Sequence, residues 1–336
     1  MVGWGSKKRL LGLDIGSYGV KAVEITCRGD QLLVSGYAQA PVTRPNDYPA
    51  AIRAVLASGG LQAKRVVVGI SGGGTVVKTI NCPGSGEGDL GMRMWDAAEK
   101  DLGIKPDGLV FDYQVEEEKG AGVERAVVAL AKQSEIALRV EILKKVGIFP
   151  EMIVPELVAL ANAYEIANAG AFFHNAREGV IMVDFGASKT LLYAVAGVER
   201  LFREHHLGGN ALSELVANRL GVNLDAGENT KCEPGDKTDV VLDAIYPALE
   251  DLATLIRSLS EGLVALTGIK PGLLLISGGM AIFPGLPSLL TRLTEIPAKV
   301  FDSFGAVETK QSDPDFLKAC GQELIVAFGL ATLVKN

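Results

Sequence analysis

Ligand-grade cysteine is missing from this sequence. Its four cysteines, Cys27, Cys82, Cys232 and Cys320, lie far apart with no C-x-x-C pair, which argues against a zinc site or a disulfide framework and points to a reducing compartment. Three histidines add no ligand cluster. Basic runs are equally scarce. None exceeds Lys7-Lys8-Arg9 and the net charge is −7, so no nucleic-acid partner is expected, and those three residues read as a solvated terminus rather than a lipid-binding patch. No apolar h-region follows them, so no signal peptide is expected. The longest apolar run toward the C-terminus, Leu324–Val334, is about half a membrane span. The expectation is a cytoplasmic chain with no direct membrane insertion. What is present is core: 48% hydrophobic and 22% charged residues over 336 positions describe a globular protein long enough for two domains.

The chain is organised around Leu10–Ile25, LLGLDIGSYGVKAVEI. Apolar residues flank Asp14-Ile15-Gly16 and β-type character resumes at Val20, which predicts two strands joined by a tight turn. Gly16, Ser17 and Gly19 let such a turn aim backbone N–H groups into one concavity suited to an anion. Asp14 would repel a bare phosphate, so its place there makes sense with Mg²⁺ between them, and Lys21 supplies the opposite charge. Taken alone, the stretch is as well read as an ordinary glycine-containing hairpin.

The device occurs twice. Val180–Val195, VIMVDFGASKTLLYAV, again runs an apolar strand into Asp184-x-Gly186, then small and hydroxyl residues (Ala187, Ser188), then a second strand, and Asp184 follows Asp14 by 170 residues. Two similar halves closing on one nucleotide are expected, with Asp14 and Asp184 near the metal. A third stretch, Leu273–Ser277 followed by Gly278, Gly279 and Met280, is an apolar strand ending in a glycine pair that would let a flat ring lie on the backbone. The pair Gly208-Gly209 opens a helix over Asn210–Leu220 whose N-terminus is expected to face phosphate. His205 and His206 read as packing residues.

Between these motifs, Gln31–Gln39 reads as a strand, Tyr48–Leu56 as an amphipathic helix, and Lys64–Ile70 and Thr75–Ile80 as further strands of the first half. Asn81–Gly91, dense in glycine, proline and acid, reads as a boundary. A small β/α module follows, with a helix over Met92–Leu102, strands over Leu109–Val115 and Glu124–Ala131, and a helix over Glu135–Val146 stopped by Gly147. Leu157–Ala169 is an alanine-rich linking helix. Leu249, Leu252, Ile256, Leu259 and Leu263 predict one long amphipathic helix over Pro247–Gly268.

The order of phosphate, phosphate and nucleoside motifs resembles the actin-like ATPase superfamily. Within it the sequence is most similar to the PilM family of type IV pilus assembly, through Leu11-Gly-Leu-Asp-Ile-Gly-Ser17 with Val20-Lys21, the module residues Trp95-Asp-Ala-Ala-Glu99, Phe111-Asp-Tyr-Gln114 and Leu143-Lys-Lys-Val-Gly147, and the terminal Ala327-Phe-Gly-Leu-Ala331. The resemblance implies an α/β, actin-like/ribonuclease H-like two-domain fold with an FtsA-like inserted subdomain. The first half spans 1–170 with the insertion at about 89–149, the second spans 177–321, and a C-terminal helix over 322–336 returns to the first. It implies ATP and Mg²⁺ as ligands, with Tyr18, Lys189 and Met280 joining the residues above around the nucleotide.

Further roles come only from the resemblance. Glu228 and Lys231 match the spacing of a ribose-contacting E-A-E-x-x-K pattern, with Ala226 and Gly227 departing from it. Arg257, with Ser258, matches a pair flanking the adenine. Glu156 matches an acidic residue that orients the attacking water, although a glutamate favoured by the helix dipole explains it equally. The implied partner is the short N-terminal cytoplasmic peptide of a PilN-like inner-membrane protein, together with other pilus machinery components, which would hold the chain peripherally at the inner membrane. Two departures stand out: Leu102-Gly-Ile-Lys-Pro106 replaces a proline-rich step, and Ala187-Ser188-Lys189 replaces a pattern ending in a Thr pair, so clear binding with slow or absent turnover is expected. A small-molecule kinase of the superfamily would need a general base, and Phe185–Leu192 offers no spare carboxylate. A filament-forming protein of the same fold stays open.

Overall fold

The computed structural model describes residues 8–28, 31–42, 47–58, 60–83, 89–105, 107–116, 123–168, 178–305, 307–309, 317 and 320–333. The expected division points at 170 and 177, and the centre of the composition change at 84–88, lie outside the described residues.

The first half begins with the antiparallel strands β1 (Lys8–Ile15), β2 (Gly19–Arg28) and β3 (Gln31–Pro41), followed by helix α1 (Tyr48–Ser58) and strand β4 (Arg65–Ile70), which lies parallel to β1. The module comprises β5 (Val76–Pro83), α2 (Leu90–Leu102), β6 (Leu109–Glu116), β7 (Val123–Lys132) and α3 (Gln133–Lys144). Its three strands form a separate antiparallel sheet in the order β5-β7-β6. β5 takes in Val76–Ile80 of the strand expected over Thr75–Ile80 in the first half, but it pairs with β7 over its whole length. Local pattern names a strand but not its neighbour, so the sheet begins one strand earlier than composition suggests. Helix α2 is capped: Asp89 accepts the Met92 N–H at 3.0 Å, which starts it two residues before the expected Met92.

Strand β8 (Met152–Pro155), not expected from the sequence, lies parallel to β4 and forms one edge of the first sheet. Helix α4 (Glu156–Asn168) then leads to the second half: β9 (Gly179–Phe185), β10 (Thr190–Ala196), β11 (Glu199–His205), α5 (Gly209–Leu220), α6 (Leu224–Cys232), α7 (Thr238–Thr267), β12 (Pro271–Ser277), α8 (Leu286–Thr294) and β13 (Ala298–Val300). Helix α7 starts nine residues before Pro247, because the buried Val241 and Ile245 continue its apolar face upstream. β14 (Glu308–Thr309) returns to β3, and α9 (Ile325–Thr332) ends the fold.

The two large sheets repeat one topology. The first runs β14-β3-β2-β1-β4-β8 and the second β11-β10-β9-β12-β13; apart from β14, each is an antiparallel three-strand meander continued by two parallel strands. Helix α9 follows the second half in sequence but packs against β1, β2 and α4 of the first. A Cβ on Gly12 of β1 would stand 2.0 Å from the Ala327 carbonyl, and one on Gly329 would stand 1.9 Å from that of Ala159. Glycine at both places is what lets α9 sit between β1 and α4, and Asn162 Nδ2 donates to the Gly329 carbonyl at 2.8 Å. Among the described residues no helix is long and apolar enough to cross a membrane.

Candidate functional site

The two Asp-x-Gly turns have the same geometry. Gly16 N–H donates to the Gly19 carbonyl at 3.0 Å, and Gly186 N–H donates to the Lys189 carbonyl at 3.0 Å. Neither Gly16 nor Gly186 has positive φ. They supply room: a Cβ would press on the carbonyl three residues on, at 3.2 Å and 3.1 Å respectively. Both aspartates end the buried first strand of their hairpin and face a common cleft, with Lys21 on β2 opposite Asp14 and its Nζ 3.5 Å from Asp14 Oδ2.

Charge in the cleft is unbalanced. Burial raises the Asp14 carboxyl above its ordinary range, with Lys21 opposing and Glu156 adding to the rise. Burial likewise carries Asp184 to about 6, against the pull of Lys21 and the hydrogen bond it accepts from Ser277. Burial also raises Glu323, a third carboxylate on the lining. Lys21 loses hydration too, but its attraction to Asp14, Asp184 and Glu323 outweighs that loss and holds its ammonium above the usual lysine value.

The far end of the cleft is built by Gly278, Gly279 and Met280, by Ile282 and Phe283, and by Glu228, Lys231 and Cys232 of α6. Gly278 has φ +84°, and a Cβ there would lie 2.4 Å from the Phe185 carbonyl, so this glycine joins β12 to β9. Gly279 differs: a Cβ there would meet no protein atom within 4 Å. Lys231 is buried and donates to the Gly209 carbonyl at 2.9 Å, to Ser213 Oγ at 2.8 Å and to Glu228 Oε2 at 2.7 Å. Burial works to raise the Glu228 carboxyl, but its hydrogen bonds with Lys231 and Ser213 prevail and hold it below the usual range. Desolvation and the neighbouring Glu228 carboxylate push the Cys232 thiol up to about 11.

Of the expected residues, Asp14, Tyr18, Lys21, Asp184, Gly186, Ala187, Gly209, Glu228, Lys231, Gly278, Gly279 and Met280 line this one cleft. Ser17 and Ser188 are exposed at the hairpin turns, and Gly16 and Gly208 support the lining from behind. Gly208 packs so tightly on the second turn that a Cβ would stand 2.4 Å from both the Ala187 carbonyl and the Lys189 nitrogen. The expectation that the N-terminus of α5 faces phosphate is corrected by its own bonding: Gly209 N–H donates to the Gly186 carbonyl at 2.9 Å and Asn210 N–H to that of Ala187 at 2.8 Å. These amides brace the turn. Arg257 stands away from the lining; its guanidinium donates to the Leu293 carbonyl and to Thr254 Oγ1, tying α7 to α8. Glu156 and Lys189 are paired with each other at 3.4 Å and do not line the cleft.

Sequence reading missed Asn210, Ile282, Phe283, Cys232, Glu323 and Val326. The first four neighbour motifs already singled out. Glu323 and Val326 arrive from the C-terminal segment, anchored where Gly278 N–H donates to the Gln322 carbonyl at 2.9 Å, and no local pattern announces them.

Twin sheets of one topology, each contributing an Asp-x-Gly turn to a shared cleft, define an actin-like ATPase fold. Ethanolamine utilization protein EutJ from Carboxydothermus hydrogenoformans matches it with a TM-score of 0.57 at 14% identity, over 98% of this chain and 92% of its own. The nucleotide-free diol dehydratase-reactivating factor matches with a TM-score of 0.56 at 10% identity, over 96% and 99%. A solved PilM-PilN type IV pilus biogenesis complex matches with a TM-score of 0.79 at 26% identity, over 96% of this chain and 97% of that one. The profile of the type IV pilus assembly protein PilM family matches residues 12–334, and the chain belongs to that family.

Proposed function

We propose that this chain binds Mg²⁺·ATP in the cleft and acts as a scaffold that recruits the N-terminal cytoplasmic peptide of a PilN-like inner-membrane protein, which brings it to the membrane beside other pilus components. The observation that carries the nucleotide reading is the convergence of Asp14, Asp184 and Lys21 between two like turns, with open space above Gly279 at the other end. The donor set fits the ion. Two carboxylates whose protons are favoured by burial gain most from a nearby cation. Among the described residues no group of three or more His, Cys, Asp or Glu is placed to hold a metal ion. Mg²⁺ is held by one or two carboxylates together with water and phosphate oxygens, and Asp14 and Asp184 offer two. When bound, the ion supplies charge neutralisation at the phosphates. Lys21 then pairs with phosphate as well as Asp14, Lys231 holds Glu228 in place beside the sugar, and Gly279 admits the base. Ligand at 100 times its dissociation constant stabilises a fold by about 2.7 kcal/mol. A melting temperature unmoved by ATP with Mg²⁺ rejects the reading.

For the partner, the supporting feature is a groove between two sheet edges. β8 is the edge of the first sheet and β6 that of the module sheet, and Val110, Asp112 and Gln114 of β6 line the groove with Ile153 and Val154 of β8 and Ile136 of α3. An extended peptide gains main-chain hydrogen bonds from such edges and specificity from the side chains between them. The PilM-PilN complex among the similar structures supports a partner of this kind. Val110 is 43% exposed, so Val110→Glu leaves the fold intact and is expected to weaken binding of the peptide while ATP binding persists. Unchanged peptide affinity places the partner elsewhere.

A further inference from the structure

Lys189 ends the second turn, at the position Gly19 holds in the first. Lys189 is not among the residues that line the cleft. It is held from three sides: Glu156 Oε2 at 3.4 Å, Glu204 Oε2 at 3.9 Å, and the Ser71 hydroxyl, to which it donates. Glu204 also accepts the Gly72 N–H at 3.2 Å. Ser71 and Gly72 follow β4, and Glu156 starts α4, so three of these groups belong to the first half. Lys189 and Glu204 belong to the second. The cluster is a polar clasp across the two halves, behind the phosphate end of the cleft. Its side chains are largely enclosed, at 20% exposure for Lys189, 8% for Glu156 and 15% for Glu204. Drawing the ammonium away would leave two enclosed carboxylates near each other without their shared cation, which is costly.

We propose that this clasp is a brake on hydrolysis: Lys189 holds the halves together and keeps Glu156 from a water at the terminal phosphate. The proposal rests on the nucleotide reading above. In the reaction, the water oxygen bonds to the terminal phosphorus as the bond to the bridging oxygen breaks, the electron pair leaves on ADP, and the water's proton requires an acceptor. A Cβ on Gly69 of β4 would stand 3.1 Å from Glu156 Cγ, and β4 runs beside β1 with Val68 opposite Leu13, which puts the Glu156 carboxylate beside the first turn. Its Oε2 is committed to an ammonium, and a base must be within hydrogen-bond reach of the proton it takes. Lys189 is thus a positioning residue that acts through Glu156.

The test uses the full chain. Lys189→Met is expected to raise single-turnover phosphate release on the order of tenfold, a modest part of what a positioned base supplies. Adding Glu156→Gln to it removes the gain, and Lys189→Arg, whose guanidinium can hold two carboxylates, keeps turnover at the wild-type level. Hydrogen exchange at the Gly72 amide, which needs no nucleotide, is expected to quicken in Lys189→Met and stay slow in Lys189→Arg. Ser71→Ala removes one support of the ammonium without stranding a carboxylate, so it shifts both readouts the same way should Lys189→Met fail to fold. The proposal is overturned if turnover in Lys189→Met is unchanged or lower while ATP still binds, if the gain survives Glu156→Gln, or if Lys189→Met abolishes ATP binding, which makes the ammonium a phosphate ligand. If the wild type binds no ATP the nucleotide reading fails instead, and unchanged Gly72 exchange in Lys189→Met then overturns the clasp by itself.

Discussion

The Ser277 hydroxyl donates to Asp184 Oδ1 at 2.9 Å, across parallel strands in which the two residues are direct partners. This bond favours the ionised carboxylate, yet burial prevails and carries Asp184 to about 6. A carboxyl whose folded pKa is raised binds its proton more tightly in the native state. Its contribution to stability is full below the ordinary aspartate range near 3.8 and is lost as pH rises through about 6. Asp184→Asn removes that dependence while keeping an acceptor for Ser277. Between pH 4 and pH 7 the ligand-free variant should gain on the wild type by about 2 kcal/mol, less than the full shift implies because the side chain touches cleft solvent. Parallel melting series across that range check this, and a pH-independent difference rejects it.

Gly278 and Gly279 are adjacent yet should answer substitution in opposite ways. At Gly278, φ of +84° and a Cβ only 2.4 Å from the Phe185 carbonyl make valine a lesion of the fold. Gly278→Val should lower the melting temperature with or without ligand, by several kcal/mol of stability. A Cβ at Gly279 meets nothing within 4 Å, so Gly279→Val should leave the melting temperature of the free protein nearly unchanged and abolish the shift produced by ATP with Mg²⁺. Asp14→Ala should also remove that shift. A normal ligand shift in Gly279→Val would move the base to another wall.

The seat of α9 depends on two missing methyl groups. Gly329→Ala forces a carbon to within 1.9 Å of the Ala159 carbonyl unless helix α9 moves. Overpacking of a rigid site costs about 1–3 kcal/mol and at times more. Denaturant unfolding should show a loss at the upper end of that range, with faster amide exchange in α4 as well as α9. A loss below about 0.5 kcal/mol would mean the helix is free to shift.

Arg125 on β7 is 4% exposed and joins the module to the second half. Its guanidinium meets Glu116 at 2.7 Å, Glu199 at 2.5 Å and the Val198 carbonyl at 2.6 Å. Arg200 in turn pairs with Glu116 and Glu165, so strands β6 and β11 and helix α4 share one charge network. Arg125→Ala strands Glu199 and leaves Glu116 to Arg200 alone, and should cost about 3 kcal/mol, the low end for a broken buried pair because both carboxylates keep some solvent. Combining it with Glu116→Gln and Glu199→Gln should recover part of the loss in thermal unfolding. No recovery would show that the arginine acts through packing.

Sequence alone determined the features that local rules govern. A buried strand must be apolar, a tight turn next to a carbonyl needs glycine, and an amphipathic helix must repeat its apolar face; these made both Asp-x-Gly hairpins, their 170-residue spacing and most of α7 legible. Tertiary structure alone decided which of the legible pieces meet. β5 joined β7 because hydrogen-bonding edges accept any strand whose burial pattern fits, and its sequence carries no mark of the partner. Arg257 turned from the cleft because a nearer carbonyl, that of Leu293, satisfies its guanidinium. Glu323 entered the cleft because glycines at 12 and 329 admit α9 between β1 and α4, placing the C-terminal segment beside Lys21. Lys189 read as a cation for phosphate until the fold brought Glu156, Glu204 and Ser71 around it. The pattern of one segment sets which way its own side chains point, while the partners of a charge are set by segments far off in the chain, and only packing brings those into reach.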